Sequence, residues 1–137
     1  MKFICDAMLG KLARWLRIIG YDTILADKQK DSELVRLAKS EDRVLLTLDK
    51  SVPGVHLPSS DLEDQLVFLA KELGIEIPGE PVPLFCPECN GRLKETKDKL
   101  PKYVNKGWIC TSCGKVYWEG SHWRRIRGFL SRVRRRL

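Results

Sequence analysis

Four cysteines in two closely spaced pairs place the strongest constraint on how this chain can fold. Cys86 and Cys89 form one CxxC pair, Cys110 and Cys113 form the other, and 20 residues lie between the pairs. This spacing is typical of a zinc site, and four thiolates complete a tetrahedron that leaves no open position for chemistry. We therefore expect a structural zinc bound by these four cysteines. The alternative is a set of free or redox-active thiols.

The fifth cysteine and the apolar runs indicate the compartment. Cys5 lies inside a short apolar stretch, where a cysteine usually behaves as a small buried hydrophobe. The first residues, MKFICDAM, are interrupted by an acid too soon for a signal peptide. No apolar run approaches the roughly 18 residues that a membrane span needs. We expect a cytoplasmic protein that makes no membrane contact.

Upstream of the cysteines, short apolar runs alternate with amphipathic segments. The first helix is predicted from Leu9 to Ile19, the second from a cap at Asp31, and the third behind a Ser60–Glu63 capping box. Five short strands are predicted around these helices, at residues 2–5, 22–25, 44–48, 55–57 and 75–77. This alternation favours an α/β fold with a doubly wound, mostly parallel sheet and helices on both faces.

The proline-rich stretch 78–83 is predicted to be a stiff linker between this core and the cysteine region. We predict an α/β core over 1–80, a zinc ribbon over 84–120, and a basic C-terminal helix over 121–137 with Ser121 as its N-cap. The helix carries an apolar stripe that is expected to pack on the protein, formed by Trp123, Ile126, Phe129 or Leu130, and Val133.

Acids follow the predicted strands. Asp6 comes directly after the first strand and Asp49 directly after the third, and these strands are neighbours in common doubly wound orders. Asp31 follows the second strand, whereas Asp22 precedes it and should lie at the opposite edge. Clustered carboxylates repel one another unless a cation neutralises them, and oxygen ligands suit Mg²⁺ or Mn²⁺. Asp6 and Asp49 are therefore expected to face each other around such a cation, and Asp27 and Asp31 could reach the same edge, although Asp31 could serve only as a cap and Asp49 could only begin a turn.

Positive charge is concentrated in the second half of the chain. Residues 1–80 carry 11 Lys and Arg against 14 Asp and Glu, while residues 81–137 carry 14 against 4. Such a basic appendage is typical of a nucleic-acid binder, although a basic solvated surface or a contact with anionic membranes would share it. The predicted RNA contacts lie on the first helix and on the C-terminal helix: Lys11, Arg14, Arg17, Arg124, Arg125, Arg127 and Arg134.

Three core segments and the cysteine region together resemble one family. FICDAMLGKLARWLRIIGYDT, DSELVRLA and RVLLTLD resemble the PIN-like ribonucleases, and CPECNGRL with CTSCGKVYWEGSHW resembles the zinc ribbon of the Mut-seven C-terminal ribonuclease subgroup. The resemblance implies a PIN-like core and a metal-dependent nuclease with acids at Asp6, Asp31 and Asp49. Lys50-Ser51-Val52 stands where many PIN domains carry a fourth acid, so one or two catalytic metals remain open.

Two functions compete. The first is an Mg²⁺- or Mn²⁺-dependent ribonuclease acting on RNA, single-stranded or structured, with ribosomal and transfer RNA among the possible substrates; DNA stays open as well. The second is a non-catalytic RNA-binding or ribosome-associated adaptor. A phospho-acceptor receiver domain would need an acidic pair after the first strand, where Asp6 stands between Cys5 and Ala7. The RNA sequence, endo- or exonuclease action and the oligomeric state do not follow from the sequence.

Overall fold

A computed structural model describes residues 1–27 and 30–137 of the chain. In this described part, the strands form a four-stranded parallel sheet and a three-stranded antiparallel sheet. The parallel sheet and its helices comprise β1 (Phe3–Cys5), α1 (Gly10–Ile18), β2 (Thr23–Leu25), α2 (Asp31–Ser40), β3 (Val44–Thr47), β4 (Val55–His56) and α3 (Leu62–Leu73). The second sheet comprises β5 (Leu93–Thr96), β6 (Gly107–Cys110) and β7 (Val116–Trp118), and α4 (Ser121–Arg135) follows it.

The order of the parallel sheet is β2-β1-β3-β4. β1 pairs in parallel with β3, with Cys5 opposite Leu46, so the carboxyl ends of these two strands lie side by side. The predicted α/β architecture with a parallel sheet is confirmed. Because β1 and β3 are parallel neighbours, the residues that follow these two strands meet at one edge of the sheet.

Helices cover both faces of the sheet because successive strand residues point to opposite sides. Phe3, Cys5 and Leu46 point to the side occupied by α1, α3 and α4, where the larger cluster of buried side chains lies. Ile4 and Leu45 point to the other side, where Leu34 and Ala38 of α2 complete a smaller cluster. The central strands are therefore buried on both faces, as their continuous apolar runs require.

α4 contributes to the larger core. Ile126, Leu130 and Val133 recur along one face of the helix and are buried with the residues of α1 and α3. Phe129 lies beside them and its ring contacts that of Trp15, with centroids 4.5 Å apart. The basic helix is thus anchored on the α/β core by its apolar stripe, and its arginines occupy the remaining surface.

Three helix starts differ from the predicted caps. The N-cap of α2 is Lys30, and Asp31 is the first helical residue. The N-cap of α3 is Asp61, whose carboxylate accepts a hydrogen bond from the amide of Asp64 at 2.9 Å; the predicted box was one residue too early. The N-cap of α4 is Gly120, and Ser121 begins the helix.

The predicted fifth strand of the core was also wrong. Ile75 and Ile77 are buried in the larger core but form no strand. They follow α3, whose C-cap is Gly74 in the left-handed conformation. The linker after them runs along α1, where the amide of Val82 donates to the carbonyl of Ile18 at 2.8 Å. None of the helices in the described residues is long and apolar enough to cross a membrane.

Candidate active site and zinc centre

Asp6 and Asp49 are connected by one buried threonine. The hydroxyl of Thr47, at the end of β3, donates to Asp6 Oδ2 at 2.8 Å and accepts from the amide of Asp49 at 3.0 Å. The amide of Asp6 donates to the carbonyl of Leu46 at 3.1 Å, which extends the β1–β3 pairing by one residue. Thr47 is fully buried, whereas Asp49 is exposed and Asp6 is half-buried. Sequence reasoning missed Thr47; the signal was a hydroxyl two residues before the acid in TLD.

Asp49 also begins a turn, the structural alternative considered for it above. Its Oδ1 accepts hydrogen bonds from the amide of Ser51 at 2.9 Å and from the Ser51 hydroxyl at 2.7 Å. These hydrogen bonds lower the pKa of Asp49, so its carboxylate is ionised at neutral pH. Oδ2 accepts no hydrogen bond from the described residues. The turn therefore orients the carboxylate and leaves one oxygen for a ligand.

Asp31 is exposed in the first turn of α2. Among the described residues, the four cysteines are the group of three or more His, Cys, Asp and Glu side chains whose ligand atoms converge closely, and the three aspartates form no such group. Asp6 and Asp49 thus share an edge, and Asp31 lies on the separate α2 segment. Asp22 lies at the opposite edge of the sheet, as predicted, where its carbonyl accepts from the amide of Phe3 and its carboxylate pairs with Arg43.

The basic residues of α1 differ from one another in their surroundings. Lys11 is exposed, in the first turn of the helix that follows Asp6. Arg14 lies one turn further along and pairs with Glu88 of the zinc ribbon at 2.5 Å. Both side chains lie on the surface that leads away from the acidic edge.

Arg17 corrects the prediction that it contacts RNA. It is only 6 % exposed, its Nε donates to the carbonyl of Thr23 at 2.9 Å, and its Nη1 donates to the carbonyl of Pro87 at 3.0 Å. The guanidinium is covered because the first cysteine knuckle packs on the end of α1. Burial lowers the pKa of Arg17 from its ordinary value without making the group neutral at physiological pH. Arg17 is a structural link between core and ribbon.

The arginines of α4 fall into two sets. Arg127 pairs with Glu80 at 2.8 Å and with Glu119, so its charge is compensated within the protein. Arg132 and Arg136 pair with Glu63 of α3. A second set is exposed and has no ion pair among the described residues: Arg124, Arg125, Arg134 and Arg135. Three of the four predicted contacts on this helix therefore belong to the unpaired set.

The cysteine pairs form the expected centre. The Sγ atoms of Cys86 and Cys113 are 3.7 Å apart, those of Cys89 and Cys110 are 3.5 Å apart, and all four lie within 4.8 Å of one another. With Zn–S bonds of about 2.3 Å, a regular tetrahedron requires sulfur separations of about 3.8 Å. The spacing fits a zinc ion, and no His, Asp or Glu of the described residues belongs to the group.

Backbone amides favour the thiolate form of one of the four cysteines, Cys110. The amides of Ser112 and Cys113 point at Cys110 Sγ, each at 3.4 Å. Burial alone would raise the pKa of Cys110, but these donors outweigh it and lower the pKa to about 7. Gly114 is left-handed, with φ of 79°, and allows the tight turn behind the second pair. Tyr117 places its hydroxyl 3.1 Å from Cys86 Sγ, where it can donate to a thiolate.

A comparison with protein families gives the chain its affiliation. The sequence model of the family described as Mut7-C RNAse domain matches residues 1–130, which include both the acidic edge and the four cysteines. No curated protein and no solved structure matched the chain. A match of this extent covers nearly all of the chain. The protein belongs to the Mut7-C RNAse domain family.

Proposed function

We propose that this protein is a PIN-like, metal-dependent ribonuclease that hydrolyses RNA phosphodiester bonds at the carboxyl edge of its parallel sheet. The observation that carries the proposal is the chain of hydrogen bonds from Asp6 through Thr47 to Asp49, which orients the Asp6 carboxylate and holds the backbone of Asp49 at the same edge. An acid at a strand end that is oriented by a buried hydroxyl is typical of a functional site, because it contributes little to packing. The family affiliation supports the reaction class.

The carboxylates suit a hard divalent cation such as Mg²⁺ or Mn²⁺. Within residues 1–27 and 30–137, Asp49 Oδ2 accepts no hydrogen bond, Asp6 Oδ1 accepts one from the amide of Met8, and Asp6 Oδ2 accepts one from the hydroxyl of Thr47. Asp31 would add a third carboxylate from the first turn of α2. The chemistry supplied by such a cation when bound is charge neutralisation at the phosphate and activation of the attacking water. The protein itself would hold the carboxylates in the orientation that binds the cation.

RNA would be bound by the basic residues that lead away from this edge. Lys11 is exposed in the first turn of α1, the helix that follows Asp6, and Arg14, one turn further along, would exchange its pairing with Glu88 for a phosphate. The unpaired arginines of α4 would bind further phosphates, and the zinc ribbon would hold the helix and the linker in place. Basic side chains on α1 and α4 would then position an RNA strand whose scissile phosphate lies at the acidic edge.

The test is cleavage of single-stranded RNA by the full chain in Mn²⁺ or Mg²⁺, with Asp6→Asn and Asp49→Asn beside the wild type. We expect each variant to lose activity by at least about 100-fold, since loss of groups that merely support metal ligands already costs about 10–100-fold. The matched control is Asp42→Asn, an exposed carboxylate in the turn before β3, where asparagine tolerates the positive φ of 54°.

Equal cleavage by Asp6→Asn and Asp49→Asn at equal purity would refute the mechanism. RNA binding without turnover in either metal would favour the adaptor function instead, with the zinc ribbon and the arginines carrying the activity. Full activity of Asp42→Asn is required for either loss to be assigned to the acidic edge.

A further inference from the structure

An apolar cleft lies where the proline-rich linker, the zinc ribbon and α4 meet. Its volume is about 90 Å³, and its walls include Pro81 and Pro83 of the linker, Phe85, Trp118 of β7, and Trp123 and Ile126 of α4. The cleft lies outside the acidic edge and outside the cysteine centre. Its size suits one planar ring.

The walls of this cleft are rigid before any ligand binds. Trp123 is stacked on Trp108 of β6, with ring centroids 5.3 Å apart and planes 22° from parallel. The prolines fix the linker on the opposite side. Trp118 is the exception, because it is 38 % exposed and remains one of the large apolar side chains that the fold leaves at the surface. An exposed indole in a preformed aromatic cleft is a surface on which a flat ring can stack.

Exposed arginines stand beside the apolar walls. Arg124 and Arg125 directly follow Trp123 on α4 and form no ion pair among the described residues. Arg14 lines the cleft but pairs with Glu88, and Arg127 pairs with Glu80 and Glu119. Further along α4, the side chains of Arg134 and Arg135 line a separate open depression. Apolar aromatic walls with unpaired arginines beside them match a nucleic-acid strand, in which flat bases alternate with phosphates.

α1 connects the acidic edge to the cleft. Asp6 precedes the helix, Lys11 is exposed in its first turn, and Arg14 and Ile18, further along, line the cleft. A nine-residue helix is about 13 Å long, which is the length of a few nucleotides. One strand could contact both.

We propose that this cleft binds one unpaired base of a single-stranded RNA, stacked on Trp118, while the unpaired arginines of α4 bind the neighbouring phosphates. The inference rests on the proposed function for the identity of the ligand. It makes single-stranded RNA the substrate class and gives the zinc ribbon a direct part in holding it.

The experiment measures fluorescence anisotropy of two labelled probes, a short oligoadenylate and an abasic oligoribose phosphate of equal length and charge. Both are titrated with the zinc-loaded full chain carrying Asp49→Asn, so that cleavage does not interfere. We expect the oligoadenylate to bind roughly tenfold more tightly, because stacking one base on an aromatic side chain has an effect of about this size. Trp118→Ala should abolish the difference, and Trp118→Phe should largely restore it.

Tyr103→Ala is the matched control, because it removes another exposed aromatic of the ribbon, 92 % exposed and outside the cleft, and should leave the difference intact. Zinc content and melting temperature confirm that each variant is folded. Equal binding of the two probes by the parent chain overturns the inference, as does a difference that persists in Trp118→Ala. If the wild type never cleaves RNA yet binds bases through Trp118, the nuclease proposal fails and this inference stands. If the wild type cleaves RNA but binds the two probes equally, this inference fails and the nuclease proposal stands.

Discussion

Thr47 is a buried hydroxyl that uses its donor and its acceptor on the two acids of the candidate site. The donor side orients the carboxylate of Asp6, and the acceptor side binds the amide of Asp49. A residue in this position orients one potential ligand and holds the backbone of the other. In metal sites, such supporting hydrogen bonds commonly determine affinity as strongly as the geometry of the ligands does.

Thr47→Val should therefore weaken divalent-cation binding and RNA cleavage by about 10–100-fold. Valine keeps the shape of threonine, so the free energy of unfolding should fall by about 2 kcal/mol for the two lost hydrogen bonds. Cleavage titrated with Mn²⁺ and a thermal melt measure the two effects.

Thr47→Ser is the matched variant for this prediction. It keeps the hydroxyl and should retain most of the activity. If Thr47→Val cleaves RNA at the wild-type rate and Mn²⁺ dependence, Thr47 has no part in positioning the acids.

Residue types and spacing alone predicted the cysteine centre and the strand-end positions of Asp6 and Asp49, because both follow from local patterns. The burial of Arg17 could not be predicted, since it depends on the first cysteine knuckle packing on the end of α1. In the sequence, Lys11, Arg14 and Arg17 simply follow one another at helical spacing. Tertiary packing then separates them into an exposed cation, a paired cation and a buried one.

At the scale of elements, α4 combines an apolar face with two kinds of arginine. Leu130 and Val133 are fully buried in the core, so deleting the helix would expose the core of α1 and α3. A loss of RNA affinity in such a deletion would not distinguish unfolding from lost contacts. Substitution of individual arginines can separate the two, because some are ion-paired within the protein and others are not.

Replacing Arg124 and Arg125 together with alanine should weaken binding of single-stranded RNA and flatten its salt dependence. The slope of log K against log salt should decrease by about 0.7 for each lost phosphate contact. The matched double variant replaces Arg132 and Arg136 with alanine. It removes the same amount of charge, but these two arginines pair with Glu63 of α3.

The second double variant should leave the slope nearly unchanged and lower stability slightly, since exposed ion pairs contribute about 0–1 kcal/mol. Binding isotherms at several salt concentrations give both slopes. Equal flattening by the two double variants would indicate a general charge effect and would contradict a specific contact at Arg124 and Arg125.

Element types were predictable where hydrophobic periodicity was long, as in α1 and α3, and element ends were not. Asp61 caps α3 where the sequence also offered Ser60, and both satisfy the same capping rule. Ile75 and Ile77 have the alternation of a strand, yet they have no partner strand in the described sheet and are buried against the helices instead. Competition among neighbouring residues for one cap, or for one strand partner, is decided by tertiary contacts.

At the scale of the whole molecule, the zinc ribbon and the α/β core are tied together at the first cysteine knuckle. Asn90, directly after Cys89, accepts from the amide of Thr23 at 2.9 Å and donates to Asp22 at 2.7 Å. Desolvation would raise the pKa of Asp22, but hydrogen bonds from Arg43 and Asn90 outweigh it and lower the pKa. The link contributes above the ordinary pKa of aspartate and is lost only as pH falls through the lowered value.

Removing zinc at neutral pH should therefore destabilise the core as well as unfold the ribbon. Structural zinc supplies about 10–16 kcal/mol of apparent binding free energy, most of which is folding energy of the ribbon. Once the knuckle is disordered, Thr23, Asp22 and Arg17 lose partners on it, each hydrogen bond being worth about 1 kcal/mol. Calorimetry with a chelator should show the core melting at a lower temperature than in the zinc-loaded chain.

Asn90→Gly tests whether this coupling runs through the knuckle. Glycine accepts the positive φ of 67° at this position, so the knuckle can still form, but both side-chain hydrogen bonds to the core are removed. With zinc bound at full stoichiometry, the variant should already melt at a lower temperature, and chelation should lower its core transition less than in the wild type. A core transition that is unaffected by chelation in the wild type would mean that ribbon and core are independent, and the cleft between them would then lack a fixed shape.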